Sequence, residues 1–154
     1  LQQFVGVLLH LRLKRGAIGA TLNLLETDVQ GCQGDVLQHR LVVKEVKLDE
    51  NVLIKFAQGK ASTAPAFYTS GNAVRLYQNG AKMTVTANGK TIKSMEITFA
   101  DGHYYMAPDC GEFSAEGETR VWTGEATEVK FSTPKSSDKA HRAYITAIKV
   151  TYID

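Results

Sequence analysis

Two Asn-Gly dipeptides, Asn79-Gly80 and Asn88-Gly89, each set between residues that alternate apolar and polar, constrain this chain more than any other feature. Both central positions of a type I′ turn need positive φ, which Asn tolerates and Gly adopts freely, so such a dipeptide is a strong hairpin signal. Val74 and Leu76 precede the first, Met83 and Val85 lie between the two, and Ile92, Met95, Ile97 and Phe99 follow the second. The pattern predicts three strands in an antiparallel meander, because parallel neighbours need a crossover of about a dozen residues.

Alternation extends in both directions. Val46 and Leu48 lead into an Asp49, Glu50, Asn51 turn, after which Val52, Ile54 and Phe56 share one face. Beyond Asp101-Gly102, taken as a further turn, shorter strands are predicted over 103–106, 112–114, 119–123 and 128–132. In the final strand Tyr144, Thr146, Ile148, Val150 and Tyr152 fall on one face. Helix-period stretches are missing from residues 44–154, and many short strands separated by turns predict an all-β fold, an antiparallel, jelly-roll-like β-sandwich. One internal echo stands out: TIKSMEITF (91–99) and YITAIKVTY (144–152) share an order of apolar, charged and aromatic residues. Both segments then need one core face, and Glu96 and Lys149 are placed to pair if the strands are neighbours.

Composition changes near residue 44. Residues 1–43 hold ten of the thirteen Leu but one of the thirteen aromatics and one of the twelve Lys. This predicts a leading segment, 1–43, of different origin from a sandwich domain, 44–154. In the leading segment, Val7, Leu9, Leu11 and Leu13 have a strand period, whereas Leu22, Leu25, Glu26 and Val29 have helical spacing. The apolar run 4–13 is short of the roughly 20 residues that span a bilayer, and its cations follow it where a leader has them in front, so neither membrane insertion nor a signal peptide is expected.

Several chemistries are disfavoured. Lys and Arg number 18 against 16 Asp and Glu, scattered singly, unlike the clustered footprint of a nucleic-acid binder. Cys32 and Cys110 have no metal-ligand spacing, so no metal site or cofactor is expected, and whether they are bridged is left open. His10, His39, His103 and His141 lie in no motif with a Ser or Cys nucleophile. Asp101, Asp109, Glu112, Glu116, Glu118 and Glu125 supply carboxylates for a glycosidase-like pair, but no spacing selects two of them. The chain is read as non-enzymatic.

The runs NVLIKFAQGKASTAPAFYTSGNAVRLYQNGAKMTVTANGKTIKSMEITF and VWTGEATEVKFSTPKSSDKAHRAYITAIKVTYID resemble a family of uncharacterised β-sandwich modules in secreted and surface proteins of gut Bacteroidota. The likeness covers about 44–154 and rests on APAFYTSGNAVRLY, the two Asn-Gly turns, WTG and RAYITAIKVTY. It implies an extracellular or cell-envelope setting and a carbohydrate-binding or adhesive accessory role, with a glycan or another surface protein as partner. The alternatives are a structural or protein-interaction spacer and, third, a hydrolase with two loop carboxylates. Sugar binding needs flat aromatic faces beside hydrogen-bonding groups, which nominates Phe67, Tyr68, Tyr104, Tyr105 and Trp122. Strand alternation predicts that Tyr104 and Tyr105 point to opposite faces, and that Trp122 faces out if Val121 faces in.

Overall fold

The structure, a computed structural model, describes residues 18–23, 40–68, 70–114 and 116–153, the first stretch by its backbone. These residues form thirteen strands and no helix. One sheet contains β1 (Ile18–Asn23), β2 (Arg40–Val42), β5 (Ala66–Tyr68), β6 (Ala73–Leu76), β8 (Thr91–Tyr104), β10 (Glu112–Phe113), β11 (Thr119–Ala126) and β13 (Ala143–Ile153). The other contains β3 (Glu45–Lys47), β4 (Val52–Ala57), β7 (Lys82–Ala87), β9 (Ala107–Pro108) and β12 (Glu128–Ser132). All pairings are antiparallel, and the order β6-β13-β8-β11 in one sheet faces β7-β12-β9 in the other. From β6 to β9 each strand crosses to the opposite sheet. Strands β11 to β13 return the same way into the gaps, which is the path of a jelly roll.

A single core lies between the sheets. Ile54, Met83, Val85 and Phe131 face it from the smaller sheet, and Leu76, Ile97, Ile148 and Val150 from the larger. The two echoing segments are neighbours: Glu96 stands opposite Lys149, and Nζ of Lys149 lies 3.7 Å from Oε2 of Glu96. Strand pairing also crosses the compositional boundary at residue 44, since β1 lies along β13, β2 along β5, and Val43 is buried. Thr21 to Asn23, where helical spacing begins, lie in β1; the rest of that run, the alternation at 7–13 and Cys32 fall outside the described residues.

The meander is not formed. Strand β7 pairs with β4 and β12, whereas β6 and β8 belong to the other sheet, so both Asn-Gly dipeptides turn the chain from sheet to sheet. At the first, Asn79 and Gly80 both have positive φ (82° and 90°), as their chemistry allows. At the second only Gly89 does (73°). Turn chemistry decides where the chain reverses, but not with whom the flanking strands bond. The corner's polar groups instead bond to the segment after β12. Asn79 N–H donates to the Pro134 carbonyl at 2.8 Å, and Gly80 and Ala81 N–H both donate to Oγ1 of buried Thr133, whose hydroxyl donates to the Tyr77 carbonyl. Replacing Thr133 by valine keeps the shape and orphans these three groups. The expected cost is about 1–3 kcal/mol, read as a lower urea midpoint with an unchanged m-value.

Two other sequence expectations change for a common reason. Asp101-Gly102 is no turn between strands but a bulge inside the fourteen-residue β8, with φ of 56° and 72°, and pairing with β13 resumes beyond it at Tyr104. A register shift in β13 between Ile145 and Ala147 flips its alternation. Ile148, Val150 and Tyr152 face the core as expected, but so do Ala143 and Ile145, and Tyr144 is turned to the outer face.

Candidate functional site

The five nominated aromatics separate into three environments. Phe67 and Trp122 are fully buried in the core and present no face to a ligand. Alternation in β11 runs opposite to the reading that would expose Trp122: Val121 is the exposed residue, and Trp122, opposite Met95, points inward. Tyr68 is half-buried on the outer face of the larger sheet, where the Arg75 guanidinium lies 4.1 Å from its ring centre. Its hydroxyl oxygen accepts from the Arg40 Nε–H (3.1 Å) and from the Tyr77 hydroxyl (3.0 Å). Arg75 lies also over Tyr144 at 4.5 Å, and Arg142 over Tyr77 at 4.2 Å, so arginines and tyrosines cover one another along this face. Burial, then the Tyr68 hydrogen bond, holds the Tyr77 phenol above its ordinary pKa.

Tyr104 and Tyr105 do come together at a surface. They do not point to opposite faces: their rings stack at 4.8 Å and 22°. The reason is local. Met106 N–H bonds the Tyr104 carbonyl, an i to i+2 contact that bends the chain at Tyr105 and ends the strand alternation. Arg120 lies 3.8 Å from the Tyr104 ring centre, with its Nε anchored on the Gly117 carbonyl, and His141 packs 4.6 Å from Tyr105. A hydrogen bond with Tyr104 keeps the Tyr105 phenol above its usual pKa. Tyr104, Tyr105 and Arg120, together with Met106, Ala107, Ser132 and Pro134, line an open cleft of about 300 Å³. Arg120, Met106, Ser132 and Pro134 are contributions that sequence reasoning missed. Met106 follows Tyr105 directly, whereas Arg120, Ser132 and Pro134 come from distant strands and loops, and no local pattern links those three to the tyrosines.

Chemistry elsewhere is sparse. Ser136 Oγ lies 2.8 Å from Nδ1 of His141, a Ser–His contact that no sequence motif announced. Asp138 is 3.7 Å from Nε2, beyond hydrogen-bond reach, and its own N–H donates to Ser136 Oγ, so these contacts fold the loop after β12 onto itself. Of the six nominated carboxylates, Asp109 caps Lys130 N–H, and Glu125 is paired with Lys93 at 2.8 Å. That hydrogen bond and charge hold the Glu125 carboxyl below its ordinary range, opposite to what a general acid needs. Cys110 is a free, exposed thiol pushed up in pKa by burial of its sulfur and by the Asp109 charge, unlike a reactive thiolate. Among the described residues no group of three His, Cys, Asp or Glu side chains is placed to hold a metal ion. No protein-family model, curated protein or solved structure matches this chain.

Proposed function

We propose that this protein is a non-catalytic binding module that acts outside the cell or on its envelope and takes a carbohydrate in the Tyr104–Tyr105 cleft. The observation that carries the reading is the stack of Arg120, Tyr104 and Tyr105 along one wall of an open cleft. Sugar rings present C–H groups that pack on aromatic surface, while hydroxyls need donors and acceptors at its margin. Here Tyr105 and the apolar Met106 and Pro134 supply surface, and Arg120, Ser132 and the tyrosine hydroxyls supply hydrogen bonds. Because each stacked ring is held by its neighbours, little side-chain entropy is lost on binding. The extracellular setting is supported by the family resemblance of residues 44–154.

A glycan array probed with the full chain tests this, beside Tyr105→Ala checked for an unchanged thermal midpoint. Loss of an aromatic contact at the centre of a site costs about 2 kcal/mol, so affinity is expected to fall about 30-fold. Absence of any glycan binding would overturn the proposal and favour a spacer or protein-interaction role.

A further inference from the structure

We infer that the carbohydrate is anionic, a glycan carrying carboxylates or sulfates, and that its charges are held by a second cleft beside the tyrosines; this rests on the reading above. The second cleft, of about 490 Å³, is lined by Gly59, Asn79, Gly80 and Thr133 and by three lysines, Lys60, Lys82 and Lys135, with no carboxylate among its lining residues. Its volume is within the roughly 300–1,000 Å³ typical of ligand sites. None of the three lysines is paired with a carboxylate among the described residues, whereas Lys93, Lys130 and Lys149 are matched to Glu125, Glu128 and Glu96.

The fold, not the local sequence, makes this cluster. Gly59, at φ of 59°, lies so close to the Gly80 carbonyl that a side chain there would collide with it, and this contact draws the loop of Lys60 against the corner that leads into Lys82. Lys135 arrives on the segment whose Thr133 straps the same corner. That segment is also the partition between the two clefts: Ser132 and Pro134 line the tyrosine cleft, and Thr133 and Lys135 the lysine cleft. A chain of sugar units laid across it would meet aromatic surface on one side and three ammonium groups on the other. A single-stranded nucleic acid is favoured less, because its binders interleave bases and cations along one continuous groove.

The test measures binding of the full chain to heparin, chondroitin sulfate, polygalacturonate and the neutral polymers dextran and galactan. It is repeated with Lys60→Gln/Lys82→Gln/Lys135→Gln and with Tyr105→Ala. The expected result is a preference for acidic glycans that weakens as salt rises, with affinity about tenfold lower in the triple lysine variant. Polygalacturonate against heparin then separates carboxylate from sulfate recognition. Equal binding of neutral and acidic polymers, or an unaltered affinity in the lysine variant, would overturn this inference while leaving the carbohydrate reading intact. Failure of every polymer would sink that reading as well. Competition by polyglutamate or by a DNA oligonucleotide as strong as that of any glycan would show a site for charge alone, against the inference.

Discussion

Trp122→Ala is expected to cost about 3–5 kcal/mol and to lower the thermal midpoint by about 10 °C or more. Trp122 is the sole tryptophan and leads the fully buried side chains in volume. Removing its ring leaves a void that β-strands held by ladder bonds close only in part. Two glycines show how closely it is enclosed. A Cβ added at Gly111 would lie 2.5 Å from the ring, and one at Gly124 2.8 Å from it. The indole N–H donates to the Cys110 carbonyl at 2.7 Å, so the ring also pins the loop between β9 and β10 to β11. Trp122→Phe should therefore lose less, keeping most of the apolar burial but orphaning that carbonyl. Gly124→Ala should destabilise without removing any contact, through overpacking alone. Circular dichroism in urea measures all three; a wild-type midpoint for Trp122→Ala would contradict the placement of the ring.

The second large effect is expected at Asp49, a buried carboxylate at the turn between β3 and β4. Its Oδ1 accepts the N–H groups of Asn51 and Val52, each at 2.8 Å, and its Oδ2 accepts the Tyr152 hydroxyl at 2.6 Å. Asn51 Nδ2 also donates to that hydroxyl, at 3.2 Å. One carboxylate thus closes a turn of the smaller sheet and ties it to β13 of the larger. Asp49→Ala removes the charged acceptor of three donors at once, for an expected loss of about 3 kcal/mol. Tyr152→Phe, which breaks one of the three bonds, should lose less, and a double-mutant cycle should show clear coupling between the two.

Alkaline pH gives an independent readout of the same contact. Burial first, and then the bond to Asp49, raises the Tyr152 phenol above the ordinary tyrosine value of 10.0. An acid whose pKa is raised in the folded state favours that state while neutral. Its contribution is whole below pH about 10 and is lost as pH climbs from there through the folded value. The wild type should accordingly weaken above pH 10 more steeply than Tyr152→Phe, and parallel curves for the two would refute the assignment.

Much of this architecture is legible in the residues themselves. The alternation of Val52, Ile54 and Phe56, of Met83 and Val85, and of Met95, Ile97 and Phe99 states which face of each strand is buried, because a strand's period of two is local geometry. Positive φ at Asn79 and Gly80 is likewise a property of two residues and their side chains. The matching echo at 91–99 and 144–152 even indicates two neighbours, since strands side by side in one sheet share an environment.

Partnership is different. Whether the strand after an Asn-Gly turn bonds its predecessor or crosses to the facing sheet depends on which arrangement buries all the apolar faces together, a property of the whole chain. Bulges at 101–102 and near Thr146 then shift the phase of the alternation, turning Tyr144 outward and bringing Tyr104 to the cleft, and no periodicity forecasts where they fall. Tyr104 and Tyr105 are nominated by the sequence, but the rest of the candidate site lies in this second category. Trp122 and Phe67, conspicuous in the sequence, were taken by the core, whereas Arg120 and the lysines at 60, 82 and 135 acquire their place from contacts between segments far apart in the chain. The sequence by itself determined most of the strands, the buried faces of the regular ones and the reversals at the two Asn-Gly dipeptides, because these follow from the geometry of a few adjacent residues. Only the tertiary structure decided which strands pair and which side chains meet at a surface, because packing two sheets around one core is a condition on all of them at once.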